Sequence, residues 1–205
     1  QRYSLGGAGN VATVLRTLGV GSVRAVGVCG QDPFGHRLLA EMDAPGIDRQ
    51  GMLALPAPWE TMVYAKPYVG PTEESRLDFG SLGALPQAVL DRLTALLDDA
   101  ARSSDSLIIN QQIRSDLFGP EIVEHINQTI ARNPGTVFVV DTRALGTPFP
   151  TAMLKLNCRE ATPSFASRPR AQISDDYGVA LAQPAATTPA PPPLARRRVA
   201  GGRGG

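Results

Sequence analysis

The chain has 205 residues, of which 42% are hydrophobic, and this is enough for one domain with a substantial core. Its formal net charge is +1, so the overall charge does not indicate a nucleic-acid-binding protein. No apolar run approaches the roughly 20 residues of a membrane-spanning helix, and no signal peptide is recognisable. A cytoplasmic protein without a membrane partner is therefore expected.

Helical and strand-like patterns alternate along the first 165 residues. The first predicted helix covers residues 10–18, because apolar residues recur at helical spacing from Val11 to Leu18 and Asn10 can act as its N-cap. In chain order the other predicted elements are a strand over 23–29, a helix over 34–42, a strand over 47–55, a hairpin over 61–79, a helix over 86–101, a strand over 107–110, a helix over 120–131 and strands over 137–141 and 152–156.

Strands that alternate with helices predict an α/β fold class, with βαβ units around a parallel sheet. In such folds the functional groups lie at the carboxyl ends of the strands. Three predicted strands run into polar side chains, at Asn110, Asp141 and Asn157. We expect the chemistry of this protein at those ends.

The pattern stops after Phe165. Residues 166–205 contain six of the 18 prolines, together with six arginines and only two aspartates. A segment of this composition cannot bury enough apolar surface to offset the loss of chain entropy on folding. Residues 166–205 are therefore predicted to be a disordered tail rich in Pro, Ala, Arg and Gly.

The cysteines and histidines do not indicate a metal or catalytic site. Cys29 and Cys158 lie in apolar runs, and two isolated cysteines are expected to be buried free thiols. His36 and His125 lie on predicted helices and are expected to be surface or capping residues.

The glycine-rich segment Gly6-Gly7-Ala8-Gly9-Asn10 lies where the first helix opens. Gly7-x-Gly9-x-x-Ala12 fits the dinucleotide-binding fingerprint, in which glycines let the backbone approach a phosphate at a helix N-terminus. That fingerprint needs a preceding strand, and residues 1–5 are short and only weakly apolar. Tight packing of the helix by small residues explains the pattern equally well, so both interpretations stay open.

Two further motifs follow predicted strands. In Gly30-Gln31-Asp32-Pro33-Phe34-Gly35 the aspartate can cap the next helix, and the chemistry alone favours a purely structural role. In Asn157-Cys158-Arg159-Glu160 the amide and the carboxylate can hold a hydrated Mg²⁺ beside phosphates. The same pair resembles a helix capping box, and the two interpretations are compatible.

Taken in order, the three motifs resemble those of the PfkB/ribokinase family of carbohydrate kinases. Its members carry a G-G-x-x-N segment that opens a helix, then G-x-D-x-x-G after a strand, and later N-x-x-E after a core strand. Three matches in this order are more specific than any one of them, and the resemblance spans about residues 1–165. Within the family, the segment Arg76-Leu77-Asp78-Phe79 and the strand end at Asp141 look most similar to the heptose-7-phosphate kinase branch.

The resemblance implies a ribokinase-like α/β/α sandwich over residues 1–165, here incomplete. It also implies a small β lid at about residues 59–80, formed largely by the predicted hairpin, that closes over a sugar. Lids of this kind often form dimer contacts, so a homodimer through the lid is implied as well.

The family function that the resemblance implies is ATP-dependent phosphorylation of a sugar or sugar phosphate, with Mg²⁺ as the metal. Three residues would contact the sugar hydroxyls: Gly6, Gly7 and Asn10. Three would lie at the nucleotide phosphates: Asp141, Asn157 and Glu160. Of these, Glu160 would hold Mg²⁺ indirectly, through water. Phosphoryl transfer depends mainly on positioning and charge stabilisation, so these roles are chemically sensible.

The chain departs from the family in its catalytic segment. Family members carry a later G-A-G-D segment, whose aspartate is the catalytic base, and the 205 residues contain no such segment. The strand that normally precedes the glycine-rich segment is missing as well, and the pattern changes abruptly at Phe165. We therefore expect a truncated or frame-shifted gene product with no catalytic base and little or no kinase activity of its own.

Two other classes of function stay open. The glycine fingerprint would fit a fragment of an NAD-binding, Rossmann-type oxidoreductase, although the motif at residues 157–160 counts against it. The basic tail would fit a non-enzymatic protein that binds RNA or another polyanion. That tail holds a single aromatic residue, Tyr177, so it offers no base stacking, and nucleic acid is not expected as a partner.

Overall fold

The computed structural model describes residues 2–112, 119–142 and 149–155. In these ranges the helices are α1 Gly6–Thr17, α2 Pro33–Asp43, α3 Gln87–Ser103 and α4 Pro120–Arg132. The strands are β1 Arg24–Gly30, β2 Asp48–Leu55, β3 Val63–Ala65, β4 Tyr68–Val69, β5 Thr72–Glu73, β6 Leu77–Phe79, β7 Ser106–Gln111, β8 Val137–Thr142 and β9 Met153–Lys155. The predicted alternation of helices and strands is confirmed, and the predicted tail lies outside the described residues.

Parallel strand pairs dominate the structure. β1 pairs with β2 from Arg24 opposite Asp48 to Gly30 opposite Leu55, with a shift of register between Arg24 and Val26. β7, β8 and β9 form a second parallel sheet in that order. Helix α2 connects β1 to β2 and helix α4 lies between β7 and β8 in the chain, as expected for βαβ units. The predicted α/β class is confirmed.

The main described core lies on one face of the β7–β9 sheet. Ile109, Val140 and Leu154 are in register across the three strands and are all buried. The same cluster includes residues of the two flanking helices and of the segment before β9, namely Ala101, Ile126, Ile130, Phe149 and Ala152. Burial of this apolar face against α3 and α4 fixes the sheet and therefore the positions of its strand ends.

Helix α1 begins at Gly6 rather than at Asn10. Gly6 has a φ of +72°, a conformation that glycine adopts without strain, and Leu5 lies at the N-cap position without a side-chain capping bond. Asn10 therefore lies inside the helix, and the prediction that it caps α1 is wrong. The helix ends at Thr17, just before Gly19, whose φ of +86° stops it as expected.

The first half of the predicted hairpin over residues 61–79 consists of two short strands rather than one. Pro67 lies between β3 and β4, and proline cannot donate to a strand ladder. β3 pairs antiparallel with β6, and β4 with β5, so the predicted hairpin is confirmed. Residues 63–79 form no strand pairs with the two parallel sheets in the described residues, and they are called the lid hairpin below after the role that the resemblance implies.

A polar cluster joins α3 to α4. The Asp98 carboxylate accepts a 2.6 Å hydrogen bond from the Thr129 hydroxyl and lies 3.1 Å from Nε2 of His125. Burial alone would raise the pKa of Asp98, but this hydrogen bond and the nearby His125 and Arg132 hold its pKa below the ordinary value. The half-buried His125 is thus a helix-packing residue rather than a surface or capping residue.

His36 is exposed, as predicted, and Cys29 is a buried free thiol, as predicted. Cys158 lies outside the described residues. Within the described ranges, none of the helices combines the length and the apolar character that crossing a membrane would require.

Candidate functional site

Three polar residues form a row at the carboxyl ends of the second parallel sheet. Asn110 is in register with Asp141 on the neighbouring strand, and Asp141 is in register with Lys155 on the next. Side chains in register lie on the same face, and successive residues alternate, so this row lies opposite the buried apolar row that contains Ile109 and Val140. The row therefore lies at the edge of the sheet where α/β proteins place their binding sites.

An ion pair connects two members of this row. Nζ of Lys155 lies 2.9 Å from Oδ2 of Asp141. The Asp141 side chain is only 13% exposed, whereas that of Lys155 is 55% exposed. The carboxylate is therefore held in a largely buried position, while the ammonium group stays accessible to an incoming anion such as a phosphate.

The opening of α1 lies against the end of β7. A Cβ atom placed on Gly7 would lie 3.2 Å from Cγ of Gln112 and 3.8 Å from Oδ1 of Asn110. A larger side chain at position 7 would need the Gln112 side chain to move. Glycine at this position therefore lets the helix backbone approach the polar end of the strand.

The amide of Asn110 supplies an acceptor that the described structure leaves unused. Its Oδ1 atom is buried and has no hydrogen-bond partner among the described residues. An unsatisfied buried acceptor is costly, and a hydroxyl group is a donor that can satisfy it. Asn10 is exposed and lies three residues after Gly7, so both face the same side of α1. We call Gly7, Asn110 and Gln112, together with Gly6 and Asn10 (the predicted sugar contacts next to Gly7 on α1), the amide cluster.

The structure around Gly9 and residues 2–5 separates the two interpretations of the glycine-rich segment, tight helix packing and a dinucleotide-binding site. Gly9 is buried, and a Cβ atom there would overlap the side chain of Leu5, so this glycine packs the start of the helix tightly. Residues 2–5 form no strand, although the dinucleotide fingerprint needs one immediately before its first glycine. The geometry therefore favours tight packing over a dinucleotide site.

Only part of the predicted phosphate and metal site is described. Asp141 lies at the strand end as expected, but Asn157 and Glu160 lie outside the described residues. No three His, Cys, Asp or Glu side chains gather into a metal-binding group in the described part of the chain. Of the three residues of the row, Asp141 offers the carboxylate oxygen that Mg²⁺ prefers, and water and phosphate oxygens commonly complete such sites.

Two members of the site were not among the predicted site residues. Gln112 lies in the run Asn110-Gln111-Gln112 that marks the end of β7, and this run of amides was the available signal. Lys155 precedes Asn157 by two residues and is the last residue of β9. A single lysine at a strand end is too common to be assigned a role without the register that joins it to Asp141.

The model of the pfkB family carbohydrate kinases matches residues 1–58. A comparison with curated protein sequences gives no match. The ribokinase of Giardia lamblia superimposes with a TM-score of 0.55 at 21% identity, over 82% of this chain and 52% of that one. The fructokinase of Xylella fastidiosa gives 0.55 at 17% identity, over 78% and 52%.

These likenesses establish the fold of the described chain. It is a mixed α/β structure with parallel sheets, similar to ribokinase-like sugar kinases, as predicted from the motifs. The chain spans about half the length of these solved structures. The family match covers α1, β1, α2 and β2, so it includes the glycine-rich segment and the Gly30–Gly35 turn.

Proposed function

We propose that this chain carries the sugar-binding part of a PfkB-type carbohydrate kinase, a phosphotransferase that acts on an alcohol group. The observation that carries the proposal is the approach of Gly7 to Asn110 and Gln112 at the carboxyl end of a parallel strand. The family match over residues 1–58 supports it, since that stretch contains Gly6, Gly7 and Asn10.

The proposed ligand of the amide cluster is a sugar or sugar phosphate. Side-chain amides present both donors and acceptors, and a sugar hydroxyl can donate and accept at once. A hydroxyl that donates to Oδ1 of Asn110 would satisfy the buried acceptor. Within this class, a seven-carbon sugar phosphate is the first candidate, because residues 76–79 resemble the heptose-7-phosphate kinase branch.

The proposed phosphate side lies along the same row. Lys155 can neutralise a phosphate as a mobile point charge, while Asp141 can position it or accept from water on a metal ion. By resemblance, Asn157 and Glu160 continue this side, with ATP as the donor. Mg²⁺, if held at this side by water and Glu160 as the resemblance implies, would supply positive charge that stabilises the charge developing on the phosphate.

The proposal assigns binding rather than rapid turnover to these 205 residues. They contain no G-A-G-D segment to supply the base that removes the proton from the sugar hydroxyl. A positioned general base typically contributes about 10² to 10⁴ in rate. We therefore propose that the chain binds a sugar but phosphorylates it slowly or not at all.

The lid hairpin is proposed as a contact between two copies of the chain. The opposed pairs Val63–Phe79 and Ala65–Leu77 lie on one face of the β3–β6 ribbon. Leu77 and Phe79 are 49% and 47% exposed, so this face offers apolar surface to a partner. A second copy would bury it, in the way that the resemblance implies.

The binding part of the proposal is tested by titrating the purified 205-residue chain with ribose, fructose-6-phosphate and heptose-7-phosphate in a calorimeter. At least one of these is expected to bind, and Asn10→Ala is expected to weaken it by about tenfold, the effect of one lost hydrogen bond of roughly 1.4 kcal/mol. Gln128→Ala, which removes an exposed amide from α4, is the matched control and should bind like the wild type.

The turnover part is tested with the same protein in a coupled assay for ADP release. Little or no ADP is expected with ATP, Mg²⁺ and each of the three sugars. Robust turnover would show that the missing base is not needed, and failure of every sugar to bind would overturn the proposed function itself.

A further inference from the structure

Asp32 uses both of its carboxylate oxygens, and only one of them caps α2. Oδ1 accepts from the backbone amides of Phe34 and Gly35 at 2.8 and 2.9 Å, which is the predicted cap. Oδ2 accepts from the backbone amide of Thr61 at 2.7 Å and from its hydroxyl at 2.9 Å. The second oxygen therefore joins the β1–α2 turn to a residue far along the chain.

Thr61 completes a closed set of bonds with that turn. Its hydroxyl donates to Asp32 and accepts from the backbone amide of Gly30 at 2.9 Å. Thr61 is buried, with 9% of its surface exposed, although it stands just before the exposed lid hairpin. We call Gly30, Asp32, Gly35 and Thr61 the clasp.

Glycines allow the clasp to close. A Cβ atom on Gly30 would overlap Oδ2 of Asp32, and one on Gly35 would overlap the carbonyl oxygen of Gly30. Each would also lie 2.9 Å from an atom of Thr61, the amide nitrogen and Oγ1 respectively. Real Cβ atoms almost never approach so closely, so side chains at these positions would push Thr61 away. The two glycines of the Gly30–Gly35 turn therefore have a role in this contact.

The C-terminal end of the lid hairpin, at Gly80, also lies against Thr61. Gly80 follows β6 with a φ of +104°, and a Cβ atom there would lie 2.6 Å from the carbonyl oxygen of Thr61. The backbone amide of Glu60 donates to the carbonyl of Ser81 at 2.8 Å, which ties the two ends together. The two ends of the lid hairpin, at Thr61 and Gly80, are therefore both held beside the clasp.

The charge of Asp32 suits this role. Burial alone would raise its pKa, but hydrogen bonds from Thr61, Gly35 and Phe34 outweigh burial and hold the pKa below the ordinary value. The carboxylate is therefore ionised at neutral pH, and charge-assisted hydrogen bonds are stronger than neutral ones.

We propose that the clasp anchors the lid hairpin to the β1–α2 turn, and that Asp32 and Thr61 are positioning residues for sugar binding. This assigns to the G-x-D-x-x-G segment a role beyond capping α2. The anchoring rests on the contacts above, whereas its consequence for sugar binding rests on the proposed function.

The test is hydrogen exchange of the purified chain carrying Thr61→Val, which keeps the shape of the side chain and removes its hydroxyl. Exchange of amides in residues 60–81 is expected to rise by about tenfold, while amides of α3 and α4 exchange as in the wild type. Thr61→Ser should restore the wild-type rates. Thr72→Val, on exposed β5 of the same hairpin, is the matched control and should leave them unchanged.

A second variant keeps the test decisive if Thr61→Val fails to fold. Asp32→Asn retains an oxygen for the cap of α2 but loses the acceptor for the Thr61 amide, so the same local rise in exchange is expected. Wild-type exchange in residues 60–81 of a folded variant would overturn the anchoring, as would a rise spread evenly over α3 and α4.

Sugar affinity separates the positioning role from the proposed function. With ribose or fructose-6-phosphate as the probe, Thr61→Val is expected to bind several-fold more weakly and Thr61→Ser like the wild type. Faster exchange with unchanged affinity would overturn the positioning role. If the wild type binds no sugar, the proposed function fails, and the exchange experiment still decides whether the clasp anchors the hairpin.

Discussion

At the scale of single residues, Asp32 predicts how stability depends on pH. Its pKa is lower in the folded chain than its ordinary value, so the ionised carboxylate stabilises the fold. This stabilisation is complete above the unfolded pKa, about 4, and is lost as the pH falls through the folded value. The difference in the free energy of unfolding between wild type and Asp32→Asn should stay constant from pH 7 to about 5 and shrink towards pH 3.

Urea unfolding at several pH values measures this difference, and groups common to both proteins largely cancel. Asp105→Asn, which alters an exposed carboxyl just before β7, is the matched control. A difference that stays constant or grows as the pH falls to 3 would show that Asp32 is not held ionised by its hydrogen bonds.

At the scale of elements, the lid hairpin predicts the oligomeric state. Leu77→Asp places a charge on the apolar face of the β3–β6 ribbon, where burial against a second copy would cost several kcal/mol. The wild type is expected to sediment as a dimer and the variant as a monomer. Ser75→Asp, at an exposed position outside β3 and β6, is the control and should remain dimeric. If the wild type is monomeric at the highest concentrations tested, the proposed dimer contact does not exist.

Elements with a strong local signal could be predicted from sequence, and those set by distant contacts could not. α4 has regular apolar spacing with proline at its first turn, so it was predicted almost to its ends. α1 was misplaced because its start depends on the φ of Gly6 and on Leu5 packing against Gly9, neither of which is visible in the spacing. The division of β3 from β4 at Pro67 could have been predicted.

The same distinction applies to the candidate site. Gly6, Gly7, Asn10 and Asp141 could be proposed as site residues because they belong to motifs or end strands. Lys155 was missed because its link to Asp141 exists only through the register of β8 and β9. Thr61 was missed because it lies far from Asp32 in the chain and belongs to no motif.

At the scale of the whole molecule, the proposed function requires that the amide cluster binds a sugar. Three separated segments meet there or beside it: the start of α1, the end of β7 and the row that continues to Asp141. The end of β7 lies beside Asp141 because carboxyl ends of parallel strands share one edge, and the approach of Gly7 to Asn110 and Gln112 shows that the start of α1 lies there too. A dinucleotide site would instead need a strand directly before Gly7, which residues 2–5 do not form.

The most direct test is to follow the backbone amide resonances of the isotope-labelled chain while a sugar is added, and in a parallel titration NAD. Sugar is expected to shift the amides of residues 6–10 and 110–112 in a saturable manner, with smaller shifts in residues 60–81, and NAD is expected to shift none of them. Saturable shifts at residues 6–10 with NAD, and none with any of the three sugars, would contradict the account.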